Sequence, residues 1–156
     1  ELRLHRCCFT GHRPEKLHMP ESAVISGLER EIRKAIDDGF TVFITGMARG
    51  VDIWAAEIVL RLRGEGKPIR LIAAVPHDGF EKRWSLDWQK RYASILAAAD
   101  LVKILAPVYN RGCFQRRNEW MVDHSTRLIA VFNGEPGGTK NTIDYAMGAG
   151  VQIAFV

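Results

Sequence analysis

Cysteine is scarce in this 156-residue chain. Only Cys7, Cys8 and Cys113 are present, with no C-x-x-C pair. An odd count without that pairing argues against a disulfide framework and a cysteine zinc site. Cys7 and Cys8 stand in an apolar, strand-like run, where cysteine behaves as a small hydrophobe. A reducing cytoplasm is the expected compartment. No run approaches the ~20 apolar residues of a membrane span, and no secretory signal is visible. His5, His18, His77 and His124 have no ligand spacing with cysteines or carboxylates, so no metal is expected. The G-x-G-x-x-G and G-x-x-x-x-G-K-[ST] phosphate motifs are both missing. So are a Ser-His-Asp signature and a convincing carboxylate pair for acid–base work. No residue is assigned a catalytic role.

Charge of one sign is also limited. Lys and Arg number 22 against 18 Asp and Glu, a net +4 with no long basic run. That balance suits a focused basic pocket for a phosphorylated small molecule better than an extended nucleic-acid surface.

What is present is a repeating alternation. Short apolar runs at Leu4–Phe9, Phe40–Thr45, Ile69–Val75, Leu101–Leu105, Leu128–Phe132 and Val151–Val156 read as six strands. Helical patterns fall between them at Glu21–Asp38, Val51–Arg63, Phe80–Ala99, Gln115–Ser125 and Asn141–Gly148. The unbroken apolar stretch Leu71–Val75 fits a strand covered on both faces. Regular β-α alternation with short connections predicts an α/β fold, an open and mainly parallel sheet of about six strands with helices on both faces, in one domain over 1–156. Ligands of such sheets bind at the C-terminal ends of the strands, near the point where the strand order reverses.

The unusual polar residues gather on that edge. Thr10, Gly11, His12 and Arg13 follow the first strand. Gly46, Arg49, Gly50 and Asp52 form the turn from the second strand into a helix. Arg117 and Asn118 lie in the fourth helix, and Gly137, Gly138 and Thr139 follow the fifth strand. A strand–glycine turn–helix junction points backbone N–H groups and a helix dipole at one spot, which suits an anion. Two such turns are expected to hold phosphate. Asp52 either complements its helix dipole, accepts a bond from a ribose hydroxyl or holds an arginine. Thr139 either caps its helix or donates to the anion. Trp84, Trp88 and Tyr92 recur at four-residue spacing, which reads first as core packing and second as a base stacked on Trp84.

Together, Cys8–Pro14, Gly46–Asp52, Arg117-Asn118 with Met121-Val122-Asp123, and Gly137–Thr139 resemble the YpsA-like family. That family is placed in the SLOG superfamily of Smf/DprA DNA-processing proteins and Lonely Guy phosphoribohydrolases. The resemblance spans nearly the whole chain, with four motifs in order. It implies a Rossmann-like three-layer fold and a pocket for a nucleotide or nucleotide derivative, ADP-ribose-like, in a sensor or regulatory module. One branch of the family is linked to bacterial cell division and stress. Ala48–Asp52 is similar to the ARGID motif of the DNA-processing proteins, and Phe114 with Arg117-Asn118 to their F-x-x-R-N segment. Those proteins bind single-stranded DNA, which makes such DNA an alternative partner. The phosphoribohydrolases carry P-G-G-x-G-T-x-x-E with a catalytic glutamate. Here Pro136-Gly137-Gly138-Thr139 lacks the later glycine, Thr142 stands in the glutamate's place, and Asp144 is the nearest carboxylate. An N-glycosidic hydrolase, with Asp52, Asp123 or Asp144 as its acid, is therefore the second alternative. No cofactor is required by any of these readings. A protein partner and a homo-oligomer are left open.

Overall fold

The computed structural model describes all residues, 1–156. Six strands form one sheet: β1 (Arg6–Thr10), β2 (Val42–Thr45), β3 (Arg70–Val75), β4 (Leu101–Ile104), β5 (Arg127–Ala130) and β6 (Gln152–Phe155). Their order is β4-β3-β2-β1-β5-β6, and every pairing is parallel. Five helices connect them: α1 (Glu21–Asp37), α2 (Val51–Gly64), α3 (Leu86–Ala98), α4 (Cys113–Asp123) and α5 (Gly138–Gly148). The chain walks outward from β1 to β4, then returns to place β5 on the other side of β1. The order therefore reverses between β1 and β5.

Alternation along the strands builds two cores. Cys7, Phe9, Phe43, Leu71, Ala73 and Ile129 join α1 and α2 residues such as Leu28, Ile32, Trp54 and Leu62. Cys8, Ile44, Ile72, Ala74 and Leu128 meet Met121, Val122, Ile143 and Ala146 of α4 and α5. The period of two puts successive side chains on opposite faces, and both faces are covered. In α1, Val24, Leu28, Ile32 and Ala35 are buried at near-helical spacing. The inner strands are therefore apolar between their end residues, which is why the sheet was legible as parallel.

Several boundaries differ from the sequence expectation. The first strand begins at Arg6, because Leu2–His5 make a 3-10 turn. The third helix begins at Leu86 rather than Phe80; residues 76–85 form turns. Trp84 thus precedes the helix, although it still packs edge-on against Tyr92 with ring centroids 5.4 Å apart. The fifth helix starts at Gly138, three residues earlier than expected, so its glycines belong to the helix terminus itself. No helix is long and apolar enough to cross a membrane.

Candidate functional site

A cleft of about 340 Å³ opens at the C-terminal ends of β1, β2 and β5. It lies where the strand order reverses, the location the topology favours for a ligand. Its walls include Thr10, Gly11, His12, Arg13, Asp52, Arg117, Asn118, Gly137, Gly138 and Thr139. Ten residues singled out in the sequence therefore converge. Gly46, Arg49, Gly50 and Trp84 do not line it.

The two glycine turns differ in what they offer. In the first, several amides are used within the protein. Met47 N–H donates to Thr45 Oγ1 at 3.4 Å, and Ala48 N–H donates to Asp52 Oδ2 at 3.2 Å. At the start of α2, Val51 N–H donates to the His12 carbonyl at 3.4 Å and Ile53 N–H to the Ala48 carbonyl at 3.2 Å. Gly50, at φ 88°, is needed for this packing: a Cβ there would stand 2.5 Å from the His12 carbonyl oxygen. The turn is strained at Met47, a buried non-glycine residue at φ 66°. Four N–H groups of this turn and helix start, those of Met47, Ala48, Val51 and Ile53, are thus engaged within the protein.

The second turn is the open one. At the start of α5 the N–H groups of Gly138, Thr139 and Lys140 find no backbone acceptor, whereas Asn141 N–H already closes on the Gly137 carbonyl at 3.0 Å. Gly138 and Thr139 line the cleft, so unengaged donors and the positive end of the helix dipole lie at its wall. The Thr139 side chain does not cap the helix. Its hydroxyl donates to the Gly11 carbonyl at 2.9 Å, tying α5 to the end of β1. His12 reinforces that tie. Its Nε2 accepts from Asn133 N–H at 3.0 Å, and its Nδ1 lies 3.5 Å from Thr139 Oγ1. An accepting Nε2 requires neutral imidazole with the proton on Nδ1. Burial, followed by the nearby His18, holds the His12 pKa below its usual value. His12 is therefore a strut of the cleft more than a cation for a phosphate.

Arg117 and Asp52 form the charged floor. Both are buried, with relative exposures of 7%. Arg117 Nε donates to Asn118 Oδ1 at 2.8 Å, and its Nη1 donates to the Gly46 carbonyl. Burial lowers the Arg117 pKa, and the Asp52 charge opposes that shift. Burial pushes the Asp52 carboxyl up to about 6, with Arg117 and the Ala48 N–H pulling the other way. Asp52 Oδ1 has no hydrogen-bond partner. Among the carboxylates considered for chemistry, only Asp52 lines the cleft. Asp123 accepts from the Tyr145 hydroxyl, and Asp144 is paired with Lys140 on the surface.

Seven cleft residues were not singled out as site residues in the sequence: Phe9, Lys16, Ala48, Phe114, Asn133, Glu135 and Pro136. Asn133 and Glu135 sit in the Gly-rich turn that was noticed, so their position was readable. Lys16 belongs to a 3-10 turn whose return to the cleft depends on tertiary contacts. Phe114 was part of a quoted motif, but only its 41% exposure beside Arg117 marks it as a site residue.

The family description "YspA SLOG family" matches residues 7–151. A UPF0398 protein of Shouchella clausii is 29% identical over 145 residues, covering 87% of this chain and 77% of that protein. The SPbeta prophage-derived protein YoqJ of Bacillus subtilis is 33% identical over 116 residues, covering 67% of this chain and 68% of its own length. Among solved structures, DprA of Streptococcus pneumoniae superposes with a TM-score of 0.71 at 16% identity, over 99% of this chain and 50% of its own. DprA of Helicobacter pylori, described with its single-stranded DNA binding mode, gives 0.67 at 21% identity, over 99% of this chain and 65% of its own. The present chain thus spans half to two thirds of those DNA-processing proteins. At such identities the likeness shows the fold.

Proposed function

The chain belongs to the YspA SLOG family, and from that premise we propose that the cleft binds a nucleotide or nucleotide derivative through its phosphate, as a sensor or regulatory module. One observation carries this reading. The Gly138 and Thr139 amides have no acceptor, and both residues line the same cleft as the buried Arg117. Neutral amides at a helix start hold an anion without requiring further charge, and a planar guanidinium adds directional donors.

Thermal unfolding with inorganic phosphate, ribose 5-phosphate, nucleoside monophosphates and ADP-ribose tests the proposal. A ligand at ~100 times its Kd adds about 2.7 kcal/mol, a rise of roughly 5–10 °C for a chain of this size. The variant Gly138→Pro locates the site. Proline is tolerated at the first helical position and deletes one of these donors, and a Cβ at Gly138 meets nothing within 4 Å. The variant should keep its fold and lose about tenfold in affinity. No shift across the panel refutes the proposal. Tight, steeply salt-dependent binding of an oligonucleotide, with none of the small ligands, would replace it with single-stranded nucleic-acid binding.

A further inference from the structure

A second cavity of about 280 Å³ adjoins the cleft. Arg13, Arg49, Phe80, Trp84, Phe114 and Arg117 line it. Arg13, Phe114 and Arg117 also line the main cleft, so the two spaces share a wall. The rings in this wing are braced from behind. Phe80 lies 5.1 Å from Trp84 and 5.6 Å from Phe114, centroid to centroid, and His77 packs edge-on to Phe80 at 5.7 Å. Rings locked by neighbours offer a pre-organised surface for a flat partner. Phe114 keeps 41% of its surface exposed, so core packing does not account for it.

The polar side chains of the wing are all guanidinium groups, which have five donors and no acceptor. Glu15 holds two of them at the rim: its Oε1 accepts from Arg49 Nη2 at 2.8 Å and lies 4.0 Å from Arg13 Nε. The other N–H groups of Arg49 have no partner in the protein. A flat ring placed here must therefore present acceptors. Guanine does so with O6 and N7 side by side, the edge arginine reads bidentately, whereas adenine sets a donor amino group beside N7. Resting on the nucleotide reading above, we propose that this aromatic–arginine wing is the base subsite of the same ligand, and that it selects guanine over adenine.

Calorimetric titrations of ribose 5-phosphate, GMP and AMP into the wild type and Arg49→Met test this. Arg49 lies outside the main cleft, and its surface ion pair contributes little to stability. The wild type should bind GMP roughly tenfold tighter than AMP, and both tighter than ribose 5-phosphate. Arg49→Met should bring GMP to the level of AMP and leave ribose 5-phosphate unchanged. Equal affinity for all three in the wild type overturns the base subsite while the phosphate cleft stands. GMP and AMP binding equally, but better than ribose 5-phosphate, overturns the selection for guanine. Binding of none of them overturns both readings.

Discussion

Replacing Asp52 by asparagine should change stability in a way that depends on pH, and the dependence tests the electrostatics of the cleft floor. Lifting a carboxyl from 3.8 to about 6 makes its ionisation in the fold cost about 3 kcal/mol more than in water. That figure already includes the attraction of Arg117, because the displaced pKa is the net of burial and attraction. The folded pKa is the higher one, so the folded state holds the proton more tightly than the unfolded chain. Stability contributed by this group is therefore complete below about pH 4 and lost as pH rises toward 6. At pH 7 the wild type carries the whole penalty of about 3 kcal/mol, and at pH 4.5 about 1 kcal/mol. Asparagine carries none at either pH. Its carbonyl can keep the Ala48 N–H bond, and its amide is left as a buried donor at the place of the unpartnered Oδ1, a constant cost of about 1–3 kcal/mol. The difference between variant and wild type should thus shift by about 2 kcal/mol in favour of asparagine between pH 4.5 and pH 7. Urea unfolding of both proteins at the two pH values measures it. A difference that stays constant, or moves against asparagine as pH rises, refutes the reasoning; it would mean that Arg117 more than offsets the burial of Asp52.

Two further outcomes follow from the same geometry. The depressed pKa of His12 means its support is present above about pH 6.5 and lost as pH falls, because protonating Nε2 removes the acceptor of Asn133 N–H. Amide exchange by NMR should show the Asn133 N–H losing protection between pH 7.5 and 5.5 beyond the intrinsic rate change, and unchanged protection would dismiss the strut. Gly46→Ala should destabilise by about 1–3 kcal/mol in guanidinium unfolding, since the new Cβ would stand 2.9 Å from Asp52 Oδ2 and 3.1 Å from Arg117 Cδ. Gly64→Ala, where the added Cβ meets nothing within 4 Å, is the control and should cost nothing. Equal behaviour of the two would show that the floor yields easily.

Local pattern was enough for the layers and not for the uses of the loops. The runs that became β2 and β3 are apolar at every inner position, and Val24, Leu28 and Ile32 repeat at helical spacing, so sheet, helices and their alternation could be read directly. Phe80 and Trp84 continue a four-residue spacing toward Trp88, which made the third helix look as if it began six residues earlier than it does. The Phe80 ring instead packs against Phe114, a partner far along the chain that no local window contains, and Trp84 packs against Phe80. The same holds for the first glycine turn. Its spacing matches an anion cradle, and the His12 carbonyl, arriving from another loop, takes the Val51 N–H at the start of its helix.

Position in the strand order, more than glycine content, separates the two turns. The chain leaves β1 through α1 on the face that packs with α2, and leaves β5 through α5 on the face that packs with α4. Adjacent strands whose connections depart to opposite faces leave a crevice between their loops. Gly137–Thr139 opens on that crevice because it follows β5. Gly46–Gly50 follows β2, whose helix α2 lies on the same face as α1, and there the first loop takes one amide, that of Val51, through the His12 carbonyl. A helix start beside the reversal keeps its donors free because no neighbouring loop crosses it. A helix start one strand away is partly engaged by its neighbours, and it also carries side chains to the two spaces, Asp52 to the cleft and Arg49 to the aromatic wing.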